Sequence, residues 1–153
     1  MTGVPKVRIG HDDVYEATVA IDGGILVIPA SGATNAGVQG IAIAGDAAQN
    51  VLGVTSRRAE PVASQDLTGT DGDGYPYAYP NPVNELVTVY KRAVVKVTYT
   101  AAAVAFGAKL AAAANGHVRA YVEGTDPADS VVGECRVVGG MSSAGGTGLA
   151  YIY

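Results

Sequence analysis

The stretch Leu86 to Thr100, LVTVYKRAVVKVTYT, alternates between two sets of side chains and is dominated by β-branched residues. Val87, Val89, Lys91, Ala93, Val95, Val97 and Tyr99 fall on one side, and the other side includes Thr88, Arg92, Lys96 and Thr98. Period-two alternation over such a composition specifies a half-buried strand. The charged Lys91-Arg92 pair in its middle leaves two readings open: one long strand, or two strands separated by a bulge. Val14 to Ile21 alternates in the same way and runs into Asp22-Gly23-Gly24, a turn from which Gly24 to Ile28 returns as a short apolar strand. Val38–Ala44, Val51–Thr55, Val118–Val122, Val131–Val138 and Leu149–Tyr153 are further strand candidates. Many short strands at regular turn spacing define an all-β sandwich or barrel.

Gly107 to Ala114 does not decide between helix and strand. Its alanines favour a short helix capped by Asn115-Gly116, while its neighbours favour an extended segment. An internal repeat is visible as well. Aligned without a gap, Asn35–Arg57 lies over Asn115–Val137 and matches Asn35/Asn115, Val38/Val118, Asp46/Asp126, Ala48/Ala128, Val51/Val131 and Gly53/Gly133. The expectation is therefore a compact β-barrel or β-tulip-like domain made of two similar strand modules, about 14–57 and 86–153. An N-terminal arm (1–13) precedes them, a long loop (58–85) joins them, and there is at most one short helix. The loop is rich in Pro, Gly, Asp and Tyr, and prolines at 76, 80 and 82 exclude regular structure there. Its Tyr75, Tyr77 and Tyr79 suit either a binding surface or a lid folded over the barrel.

The apolar share of 48% rests on Ala and Val, beside 21 glycines, with no tryptophan and one phenylalanine, Phe106. Small side chains bury little area each, at about 25 cal/mol per Å², so a thin core is expected, with burial against a partner as its remedy. A charged fraction of 16%, net charge −4 and mean hydropathy +0.21 exclude a disordered chain and argue against a nucleic-acid binder. No apolar run reaches membrane-spanning length, and the N-terminal residues carry no apolar signal core, which reads as a soluble protein made in the cytosol.

Catalytic chemistry finds little to build on. His11 and His117 are the only histidines, so neither a zinc site nor another metal centre is expected, and no cofactor. Cys135 alternates with apolar neighbours and reads as a buried, inert thiol. Asp71-Gly-Asp-Gly74 begins like a calcium loop, but Tyr75 and Pro82 occupy the ligand places that should follow. Gly139-Gly140 and Gly145-Gly-Thr-Gly148 match no phosphate-binding loop and read as turns between the last strands. The chain is not expected to be an enzyme.

The phrase Ala103-Val-Ala-Phe-Gly-Ala-Lys-Leu-Ala-Ala-Ala-Ala-Asn-Gly-His-Val118, then Asp129-Ser-Val-Val-Gly-Glu-Cys-Arg-Val-Val-Gly-Gly140 and the ending Gly148-Leu-Ala-Tyr-Ile-Tyr153 resemble the capsid decoration, or cement, proteins of tailed bacteriophages, especially those infecting actinobacteria. That resemblance implies a homotrimeric β-domain on the capsid exterior, made in the host cytoplasm, whose partner is the major capsid protein. It also implies an N-terminal arm that orders on the shell, here with Lys6, Arg8 and His11 as partner-binding residues beside Tyr75, Tyr77 and Tyr79. The alternatives are a tail-tube or head-fibre component, or a carbohydrate-binding module using the three tyrosines.

Overall fold

The computed structural model describes residues 11–35, 37–64, 72–74 and 84–153, without the side chains of residues 11 and 12. Its strands are β1 (His11–Ala17), β2 (Leu26–Ala30), β3 (Gly40–Ile43), β4 (Gly53–Thr55), β5 (Leu86–Lys91), β6 (Ala93–Tyr99), β7 (Lys109–Ala112), β8 (Val118–Ala120), β9 (Val131–Cys135) and β10 (Gly146–Ile152). They close into two barrels, β1-β3-β2-β4-β5 and β6-β8-β7-β9-β10. Among the described residues the only helical elements are single 3₁₀ turns at Val62–Ser64, Ala114–Gly116 and Ala128–Ser130.

The break between barrels falls within the alternating stretch. Arg92 takes φ +54 and separates β5 from β6, so the stretch is two strands. Because the direction changes at Arg92, β5 pairs with β1 and β4 and belongs to the first barrel, not with the second module where 86–91 was expected. Gly107–Ala114 resolves as strand: Lys109–Ala112 pairs with β8 and β9 on its two edges, which local alanine propensity does not outweigh.

Both barrels wind identically. In each, the first strand pairs parallel with the third and antiparallel with the fifth, and the second pairs antiparallel with the third and fourth. The repeat is thus structural, and Gly53 and Gly133 occupy the same place in it. A Cβ at either would run into the carbonyl oxygen of a tyrosine on the neighbouring fifth strand, Tyr90 for Gly53 and Tyr151 for Gly133. The gap-free alignment slips at the third strand, where Ile41, not Val38, takes the place of Val118. The stretch from β8 to Gly133 is longer than that from β3 to Gly53, so no single offset fits both strands.

Further boundaries differ from expectation. β1 begins at His11, so Asp13 and its neighbours, placed by sequence in the arm, pair with Val89–Lys91. It ends at Ala17 instead of running to Ile21, and β2 starts at Leu26. These strands do not form a hairpin: β2 pairs with β3 and β4, and the turn after Ile21 is held by Thr55, whose hydroxyl donates to the Asp22 carbonyl at 2.6 Å. β10 begins at Gly146, so Gly146 and Gly148 are strand residues and not turn. Gly148 is there because the Tyr99 ring, Val137 and the Met141 sulfur leave no room for a Cβ.

The core explains the small side chains. Ala17, Ile21, Ile25, Val27, Ile41, Ala59, Val87 and Val89 fill the narrow first barrel. Neighbouring side chains on one strand face opposite ways, so Leu26 leaves that interior and joins Ala44 and Val54 in the second cluster. There they meet Val97, Tyr99, Leu110, Ala112, Val118, Val132, Cys135, Ala150 and Ile152. One wall of the first barrel is therefore apolar on both faces, and the barrels share a core. Cys135 is fully buried in it, as its alternation suggested.

Candidate interaction surface

Two polar clusters make the scaffold rigid. Glu16 is fully buried on β1, yet its carboxylate accepts from Thr34 N (2.6 Å), Thr34 Oγ1 (2.9 Å), Asn35 N (2.8 Å), Asn35 Nδ2 (2.9 Å) and Asn84 Nδ2 (2.6 Å). Burial by itself would raise its pKa. The donors outweigh that and bring it down from 4.5 to about 2. One carboxylate thus fixes the β2–β3 connection and the entry to β5. The second cluster joins the barrels. Arg119 on β8 donates to both oxygens of Asp126 at 2.7 Å each, and its Nε reaches Asp46 of the first barrel at 2.8 Å. Asp46 and Asp126 are the pair that the repeat alignment matched, and one guanidinium holds both. These hydrogen bonds hold the Asp126 pKa at about 2, below the usual 3.8.

The outward face of β9, β10 and β6 carries the most conspicuous surface chemistry. Register places Glu134 beside Tyr151 and Tyr151 beside Val94, then Leu149 beside Lys96, then Thr147 beside Thr98. Phe106 (54% exposed), Val94 (54%), Leu149 (48%) and Tyr153 (47%) leave large apolar surface in solvent here. The Arg136 guanidinium lies 5.9 Å from the ring centres of both Phe106 and Tyr151. It also pairs with Glu134 at 2.8 Å, and Tyr153 donates its hydroxyl to the same carboxylate at 3.0 Å. Tyr151 and Tyr153 meet edge to face at 6.0 Å. The result is a pre-arranged aromatic and arginine surface in which Arg136 and Glu134 are already paired, the composition that protein contacts favour.

At its far end this face borders a cleft of about 500 Å³ between the barrels. Lys96, Thr98 and Thr147 of the second barrel form one wall, and Gly23, Gly24, Thr55, Ser56 and Tyr90 of the first form the other. A Cβ at Gly24 would lie 3.0 Å from the Lys96 carbonyl oxygen, so glycine there sets how closely the walls approach.

Of the residues expected to bind a partner, Lys6, Arg8, Tyr75, Tyr77 and Tyr79 lie outside the described residues, and His11 is described only as backbone in β1. The second-barrel face was not anticipated. Its one sequence signal is the Tyr-Ile-Tyr ending, because Phe106, Glu134 and Arg136 meet only through folding. Among the described residues no three His, Cys, Asp or Glu side chains gather as a metal site, and no helix is long and apolar enough to cross a membrane.

These features define the fold as two tandem, identically wound five-stranded barrels with a shared core. No family model matches the sequence, and no curated protein does. Among solved structures, the fold is similar to the head fiber gp8.5 N base of bacteriophage phi29, with a TM-score of 0.58 and 14% identity. The match covers 95% of each chain.

Proposed function

We propose that this chain is a structural protein of a bacteriophage head, attached to the outside of the shell as the base of a head fibre. The observation that carries this reading is the whole-length correspondence of the fold with a head-fibre base, over 95% of each chain. The decoration reading is kept beside it because of the phrases Ala103–Val118 and Asp129–Gly140. Both readings share one mechanism. A rigid, non-enzymatic homo-oligomer, a trimer in the form the resemblance implies, engages several major capsid subunits at once. Its apparent affinity rises through avidity instead of through one strong contact. The aromatic face suits such a contact, since Arg136 and Glu134 keep each other as partners when water leaves.

The test is co-sedimentation of the purified protein with expanded shells that lack it, with labelled protein then located on the particle by electron microscopy. Saturable binding at fixed lattice positions is expected. Labelling of the tail alone, or no saturable binding, overturns the proposal. A fibre base and a decoration protein separate by occupancy, at few sites per shell or at most equivalent ones. Deleting residues 2–10 tests the arm: shell binding weakens and the oligomer persists. The deletion stops before His11, where β1 begins.

A further inference from the structure

We infer that the cleft between the barrels binds a saccharide carrying a carboxylate. A cleft of about 500 Å³ falls in the range of small-ligand sites, and junctions between units are where such sites form. The chemistry of its walls narrows the ligand. Ser56, Tyr90, Thr98 and Thr147 present hydroxyl groups that have no partner among the described residues, and Gly23 and Gly24 leave backbone open to approach. Hydroxyls both donate and accept, which matches a polyol better than a purely donating or accepting surface does. Tyr90 supplies a ring for a pyranose face, and Lys96, with no ion pair among the described residues, supplies one positive charge.

An extended peptide is the other occupant of such a groove, and the topology disfavours it. Strand addition needs an unpaired sheet edge, and both barrels are closed. Recognition in the cleft then falls to side chains, which here are hydroxyl-rich. The Thr55 hydroxyl is already held by the Asp22 carbonyl and the Ile25 amide (3.2 Å), which stiffens the wall without filling the site. Beyond Lys96 the same face continues to Leu149 and Tyr151, so a longer chain has further surface to follow.

The experiment titrates the intact protein with methyl glucuronide, methyl glucoside, acetate and trialanine while following backbone amide resonances. Methyl glucuronide is expected to shift the amides of Gly23, Gly24, Ser56, Lys96 and Thr147 saturably, and the neutral glucoside to bind more weakly at the same place. Lys96→Gln is expected to cost the glucuronide about tenfold in affinity, the loss of one charged hydrogen bond, and to leave the glucoside unchanged. Tyr90→Ala weakens both sugars, and Lys109→Gln, on the outside of β7, weakens neither. Three outcomes overturn the inference: no saturable shift with either sugar, acetate binding as tightly as the glucuronide, or trialanine shifting the cleft where the sugars do not. None of them bears on shell binding, so the two proposals fail separately.

Discussion

Replacing Glu16 by alanine removes the acceptor of five hydrogen bonds that tie β1, the β2–β3 connection and the entry to β5 together. The five losses do not simply add. Thr34 is exposed and Asn35 half-buried, so water takes over most of their donors. Asn84 is buried, only 7% exposed, and its amide loses the acceptor it faced. Orphaning one buried amide and unpinning two segments should cost about 3–5 kcal/mol. That is a large share of the roughly 5–15 kcal/mol by which a domain is folded. With a urea dependence of about 2 kcal/mol per M, the unfolding midpoint should fall by about 1.5–2.5 M. Glu16→Gln keeps the shape but turns an NH₂ toward donors, so it should fall between alanine and the native chain. The assay is urea unfolding followed by circular dichroism at pH 7. A shift under about 0.5 M for the alanine variant would refute the reasoning, since it would mean the donors lose nothing by facing no carboxylate.

Acid should expose the same group. Glu16 and Asp126 both titrate near pH 2 when folded, below their ordinary 4.5 and 3.8. Their stabilisation is therefore complete above about pH 5 and is lost as the pH falls towards 2, and Glu16→Gln should flatten part of that decline in a series of urea midpoints. Gly133→Ala puts a methyl group into the Tyr151 carbonyl and should part β9 from β10 at a cost of about 3 kcal/mol, whereas Gly139→Ala, with open space but φ +80, should cost about 1 kcal/mol; differential scanning calorimetry separates them. Arg119→Lys should destabilise nearly as much as Arg119→Ala, because an ammonium cannot serve two carboxylates in fork geometry, and Asp46→Ala, on the exposed arm of the cluster, should cost far less in the same unfolding assay. Native protein should leave Cys135 unreactive toward a thiol reagent until denaturant is added.

The class of fold was legible because period-two alternation is a local property of the chain. Val87, Val89, Val97 and Tyr99 had to face a core whatever they packed against, and all are buried. The duplication was legible where a shared steric need left a mark, as at Gly53 and Gly133, and blurred where a longer connection shifted β8. Pairing was not legible. Nothing in Leu86–Lys91 distinguishes a strand of the first barrel from one of the second, since that depends on the turn at Arg92 and on which edges remain open. Glu16 lies at a polar place of the alternating stretch Val14–Ile21, and nothing local marks it as an anchor, because the donors that make it one lie at Thr34, Asn35 and Asn84. The surface face and the cleft are likewise products of closure, which brings Phe106, Arg136 and Tyr151 together and sets Tyr90 opposite Lys96. Short half-buried strands with small side chains follow from local chemistry, since each residue's preference for one face needs no partner to be stated. Which strands close on which is settled by folding, because hydrogen-bonded edges and shared burial are relations between segments distant in the chain.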